Sequence, residues 1–149
     1  MSPADRIQSV LENKRRDLWS VEPHITVLDA IAIMSDREIG ALPVVEDGNL
    51  IGMLSERDYA RKVILLGRSS RDTIVAEIMT SPVITVSPYE TVEDAMRLMT
   101  EHRVRHLPVV TRSRIEGIVS IGDLVNWIIS AHREEIETLR TYIAGSYPA

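Results

Sequence analysis

The chain contains no cysteine and no phenylalanine, and aromatic residues fill only 4% of its 149 positions. Without cysteine there is no disulfide, no thiolate nucleophile and no thiolate metal ligand, a usage that fits a reducing compartment. Without phenylalanine the core has to be aliphatic, built from Ile, Val, Leu, Met and Ala. No apolar run approaches the roughly 18 residues needed to cross a bilayer. The opening MSPADRIQSVLENKRR has no apolar segment of the kind that marks a secretory leader. These absences point to a cytoplasmic protein away from membranes. Positive charge is also scarce: 17 Lys and Arg against 22 Asp and Glu give a formal net charge of -5. That balance argues against general nucleic-acid binding while leaving room for a local basic cluster to hold a small anion.

What the chain does have is one stretch twice. LPVVEDGNLIGMLSERD, Leu42 to Asp58, returns 65 residues later as LPVVTRSRIEGIVSIGD, Leu107 to Asp123. Shifted by 65, the chain stays in register without a gap from Val21/Val86 to Asp58/Asp123, with 14 identities in 38 positions. Two copies imply a paired domain and not an open solenoid or propeller. The length allows one compact domain or two half-size units sharing a core.

Taken in order, Ile7, Val10 and Leu11 fall at i, i+3 and i+4, which predicts a short amphipathic helix over 4–14. Lys14, Arg15 and Arg16 lie in or beyond its last turn, where cations suit the helix dipole. An extended piece follows from Leu18 to Val21, broken at Pro23. Thr26 with Asp29 reads as an N-cap, and Val27, Ala30, Ile31 and Met34 line one face of a helix with Gly40 as the expected stop. Leu42 to Val45 and Leu50 to Leu54 predict strands joined at Asp-Gly-Asn. A helix from Ser55 to about Leu66 ends before Gly67, and the polar stretch 67–72 is expected to be mobile and to part the units. The second copy repeats this plan: a short helix over 73–79, an extended Val83 to Val86, and a helix capped by Thr91 and Asp94. Strands at Leu107 to Val110 and Ile115 to Val119 then flank Arg112-Ser113-Arg114. The last helix is expected to run unbroken from near Gly122 to about Ala144, with its C-terminal half packed on another subunit. The division is thus 1–16 for the N-terminal helix, 17–68 and 69–130 for the two units, and 131–149 for the C-terminal extension and tail.

Each unit reads strand, helix, strand, strand, helix, an α/β (α+β) pattern. Both copies carry Thr-x-x-x-Ala, then Leu-Pro-Val-Val, then Gly-x-x-Ser-x-x-Asp, and Glu77-Ile78-Met79-Thr80 leads into the second. This order resembles the cystathionine-β-synthase (CBS) domain, which occurs in tandem pairs. The resemblance covers about residues 17–130. It implies two βαββα units related by a pseudo-two-fold axis, with adenosine-nucleotide sites in the clefts between the sheets. It implies further that two chains assemble into a flat disc.

Ser55-x-x-Asp58 and Ser120-x-x-Asp123 are the leading candidates for binding. Alone, such a pair at a helix start is a cap, and Thr26/Asp29 and Thr91/Asp94 share the spacing. A helix N-terminus also offers N–H groups and a positive dipole end to a phosphate, and a carboxylate can accept from both hydroxyls of a ribose. The resemblance implies that Ser55 and Ser120 meet phosphate and that Asp58 and Asp123 meet ribose, while the Thr copies stay as caps. Arg57 gives the first copy a cation where the second has Ile121-Gly122; it reads either as a phosphate ligand or as a solvated arginine. The resemblance also sets Arg105, His106 and Pro108 across from Ser55 and Asp58, and the hydroxyls of Ser20 and Thr85 against phosphate. The counterpart stretch of the first copy, Arg37 to Ala41, carries little charge, so the Asp123 site is the less well equipped. A solvated basic loop is the other reading of 102–106. His102 and His106 do not read as a metal pair, because the helix should end between them and no carboxylate or cysteine completes a set.

No nucleophile–base pair, Walker-type loop or metal set is present in the pattern. The expected function is therefore a regulatory module with no catalysis of its own. Its expected ligand is AMP or another adenosine nucleotide (ADP, ATP, NAD(H)), with S-adenosylmethionine sharing the adenosine. It is expected to form a homodimer through the CBS helices and the C-terminal helix and to signal to a downstream protein, without metal, membrane or nucleic acid. A dimeric scaffold without ligand is the alternative; a nucleic-acid-binding regulator and a nucleotide-processing enzyme rank below it.

Overall fold

The computed structural model describes residues 5–14 and 17–145. Residue 4, Arg15 and Arg16 of the first predicted helix, and the end of the tail lie outside the described residues. Helix α1 (Ile7–Asn13) opens the chain. Helix α2 (Val27–Arg37) starts where Thr26 Oγ1 accepts the Asp29 N–H at 3.2 Å. It ends on Glu38, which is left-handed at φ 55, two residues before the glycine expected to stop it. The Ile39 N–H, donating to the Met34 carbonyl at 3.0 Å, closes that last turn. Strands β1 (Ala41–Glu46) and β2 (Asn49–Ser55) pair antiparallel, with Leu42 opposite Leu54. Asp47 and Gly48 join them with positive φ at both positions, the turn whose twist matches the strands. Helix α3 (Glu56–Tyr59) runs on into a π-helical turn over Ala60–Ile64.

A short α4 (Val75–Ile78) precedes the second copy, which comprises α5 (Val92–His102), β3 (His106–Thr111), β4 (Arg114–Ser120) and α6 (Ile121–Ala131). Arg103, at φ 54, ends α5 as Glu38 ends α2. The opening strand of each unit contracts to one parallel bridge, Val21 to Val44 and Val86 to Val109.

The buried side chains form two clusters, and each draws on a helix from before the other repeat. Val27, Leu42, Leu54 and Val63 of the first unit pack with Val75 and Ile78 of α4. Val92, Leu107, Val119 and Leu124 of the second pack with Ile7 and Val10 of α1. The docking bonds match: Val75 and Ala76 donate to the carbonyls of Ile25 and Pro23, and Ile7 and Gln8 to those of Glu90 and Pro88, each at 2.9 Å. Gly52 and Gly117 let the helices approach, since a Cβ there would fall 2.4 Å from Met79 Sδ and 2.7 Å from a Leu11 methyl. This docking equates Ile7 with Val75, an offset of 68 that lies outside the 65-residue register. The 67–72 stretch, expected to be mobile, is bonded to the first unit: Leu28 N–H donates to the Ser70 carbonyl at 3.0 Å, and the buried Thr73 hydroxyl to that of Ser69 at 2.7 Å.

The helix expected to run unbroken to Ala144 is two helices. His132 (φ -116, ψ 22) separates α6 from α7 (Arg133–Ile143). Asp5, only 2% exposed, accepts from Trp127 Nε1 at 2.8 Å and bonds His132 Nε2 at 3.2 Å. This tie from the other end of the chain holds the residue where the helical pattern breaks. No residue of α7 is buried. Among the described residues no helix is long and apolar enough to cross a membrane.

Candidate functional site

Ser55 ends β2 and caps α3. Its hydroxyl accepts the Asp58 N–H at 3.1 Å, and Asp58 Oδ2 accepts from both the Ser55 N–H and the Ser55 hydroxyl at 3.0 Å. The other oxygen, Oδ1, accepts from the Thr80 hydroxyl at 3.1 Å and pairs with Lys62 Nζ at 3.1 Å. Lys62 is fixed in turn by the Ile78 carbonyl at 3.0 Å. Both carboxylate oxygens of this buried aspartate are thus engaged inside the protein.

Ser120 and Asp123 repeat the cap at the start of α6, with bonds of 2.8 and 3.1 Å. What differs is the cation. Lys14, just past α1, sets its ammonium 2.8 Å from Asp123 Oδ2 and 2.7 Å from the Ile118 carbonyl. Burial pushes the Asp123 pKa up, but Lys14 and Ser120 outweigh it and hold the carboxyl below its ordinary 3.8. Sequence reasoning left the second copy without a cation and did not include Lys14. No register of the repeat points to it, because Lys14 lies before the first copy and meets Asp123 only through the docking of α1.

His106 starts β3 opposite Ser120. It also leans on the first unit, where a Cβ placed at Gly40 would lie 3.4 Å from its Cε1 and 3.9 Å from the Glu56 carboxyl carbon. Burial, followed by the field of Lys14, lowers its pKa below 6.5, with Asp123 and Glu56 pulling upward and Arg105 adding to the fall. The structure therefore brings His106 to Asp123 and Lys14 in its own unit and to Gly40 and Glu56 across the boundary, next along the chain from Ser55. Arg57 crosses the same boundary, donating from Nη1 to the Arg103 carbonyl at 2.8 Å. Pro108 is buried opposite Ile118, whereas Arg105, Ser20 and Thr85 are exposed.

Two clefts accompany these residues. One of about 310 Å³ lies where the hairpin tips meet, with Leu50, Ile51, Val83, Thr85, Val110 and Ser113 in its walls. The other, of about 200 Å³, lies between α1 and α6 and holds Asn13, Lys14, Asp123, Asn126 and Trp127. Thr85 and Asp123 thus line different clefts, and Ser55 and Asp58 line neither. Among the described residues no group of three or more His, Cys, Asp or Glu is placed to hold a metal.

Paired hairpins, capped helices and an exchange of preceding helices define a tandem module, and the family model of the CBS domain matches it at residues 10–64 and 75–130. The chain belongs to the CBS-domain family, with two copies in tandem. Among its relatives, the mitochondrial CBS domain-containing protein CBSX3 of Arabidopsis thaliana is 47% identical over 151 residues, covering 95% of this chain and 73% of that one. A solved protein with CBS domains from Burkholderia ambifaria is 44% identical with a TM-score of 0.80, covering 84% of this chain and 94% of that one. A CBS domain pair solved with 5′-methylthioadenosine and S-adenosyl-L-methionine matches with a TM-score of 0.74 over 85% of this chain and 97% of that one. At 24% identity it is a likeness of fold alone.

Proposed function

We propose that this chain is a non-catalytic regulatory module that binds an adenosine nucleotide between its two units. One observation carries the reading: Lys14 holds the Asp123 carboxylate, His106 lies in the field of both while resting on Gly40 of the first unit, and Arg57 reaches over to the Arg103 carbonyl. A chain of net charge -5 there sets an ammonium on a carboxylate at a helix start, a pair suited to a phosphate and a ribose together. AMP, ADP, ATP and NAD(H) share that pair of groups. Bound ligand biases the orientation of the units only through its differential affinity for their arrangements. We assign the readout to a downstream protein and the working form to a cytoplasmic homodimer. The exposed apolar side chains of Ile64, Leu65, Val125 and Ile129 on the helices, and of Leu139 and Ile143 on α7, support self-association.

A second reading has its own support. Both Asp58 oxygens are engaged by Ser55, Thr80 and Lys62, as in a purely structural cap, which favours a scaffold without ligand.

Thermal unfolding against AMP, ADP, ATP and NAD(H), with Asp58→Ala and Asp123→Ala alongside, separates the two. Ligand at 100 times its Kd stabilises by about 2.7 kcal/mol. A shift with at least one nucleotide, lost in Asp123→Ala, is expected. No shift with any of them leaves the scaffold.

A further inference from the structure

Gly122 stands where Arg57 does in the first copy and Trp127 where Lys62 does, so the repeat itself gives the second Ser-x-x-Asp no cation. The fold brings one from outside the repeat. Lys14 emerges from α1, whose Ile7 and Val10 are buried in the second core and whose Leu11 packs over Gly117. Its ammonium is thereby held on Asp123 and the Ile118 carbonyl, with Asn13 and Asn126 lining the same cleft. The Lys14 and Asp123 side chains are 21% and 20% exposed, covered enough to resist screening yet open to an incoming group.

Resting on the adenosine reading above, we propose that Lys14 determines the specificity of the Asp123 site, selecting nucleotides that carry a phosphate over the neutral nucleoside. A ribose that bonds Asp123 through both hydroxyls takes both carboxylate oxygens, including Oδ2, which the ammonium now occupies. The displaced ammonium, in a partly covered cleft, then needs another anion, because leaving it without one costs free energy. A phosphate on that same ribose supplies the anion within reach of a flexible four-carbon stem, and a compact point charge suits a phosphate oxygen. A nucleoside supplies none, so it is rejected by the penalty it imposes as much as by the attraction it lacks. Lys14 thus serves the second carboxylate from the N-terminal helix as Lys62 serves the first from within the repeat.

Titration calorimetry with AMP and with adenosine tests this on the full chain and on Lys14→Gln, Lys14→Arg and Asp123→Asn. In Lys14→Gln, AMP affinity is expected to fall about tenfold, the size of one charge-assisted hydrogen bond, while adenosine holds or tightens. Lys14→Arg keeps the preference, and Asp123→Asn weakens both compounds. If Asp123→Asn weakens both but Lys14→Gln leaves the AMP-to-adenosine ratio as it was, the assignment of Lys14 is wrong and the site stands. If neither compound binds, or Asp123→Asn changes nothing, no adenosine ligand rests on Asp123 and this inference falls, while the wider adenosine reading is decided by the thermal-unfolding panel.

Discussion

The two Ser-x-x-Asp turns share spacing, capping bonds and the strand that leads to each, yet their carboxylates are held differently. Asp58 is closed in by Lys62, one helical turn further on, and by Thr80. Asp123 is held by Lys14, more than a hundred residues away in sequence. A duplicated sequence reproduces its backbone and caps, because these depend on neighbours inside the repeat. The charge around the cap depends on what the fold packs beside it, and there the copies part.

Three measurements bear on that comparison. The largest effect is expected from Leu42→Ala and Leu107→Ala, equivalent positions that are both fully buried. Each should cost about 2–5 kcal/mol. Because each core uses a helix from before the other repeat, both variants should lower one shared denaturation transition; two separate transitions would show that the halves unfold independently.

A smaller effect sharpens the contrast between the carboxylates themselves. Without ligand, Asp58→Asn should destabilise by about 1–3 kcal/mol, the cost of disturbing a buried charged network. Asp123→Asn should cost less, since Asp123 is the more exposed. Equal losses in thermal unfolding would erase the distinction.

The smallest effect is one of pH. The folded pKa of His106 is lowered from 6.5, so the unfolded chain takes up the proton first. Its contribution to stability is present above about pH 6.5 and is lost as pH falls toward the folded value. Lys14 and Arg105 oppose its protonation while Asp123 and Glu56 favour it. His106→Gln should flatten that part of the stability profile, and a phosphate bound beside the ring should raise its pKa. A ring that titrates at its ordinary value by NMR would place it outside the cluster.

The elements fixed by local chemistry were legible in the chain. Thr26, Thr91, Ser55 and Ser120 cap as their spacing implies, and both hairpins form in register. The stop of α2 was misplaced because Glu38, like Arg103 at the end of α5, adopts a left-handed conformation usually left to glycine. The break at His132 was invisible because its cause, Asp5, lies at the opposite end of the sequence. Lys14 escaped for the same reason: an ion pair between distant residues leaves no periodicity to read. Of the candidate residues, the turns at 55–58 and 120–123 could be located from spacing, but which cation each carboxylate meets could not.

The exchange of α1 and α4 also sets an order of events during synthesis. Ile7 and Val10 leave the ribosome about a hundred residues ahead of their partners on β4 and α6. Closing so long a loop adds little to the equilibrium cost but slows folding, since rates fall as contacts become more distant in sequence. The first repeat waits too, for Val75 and Ile78. Cutting the chain in the 67–72 loop, the obvious place to halve it, would leave each piece holding a helix that belongs to the other.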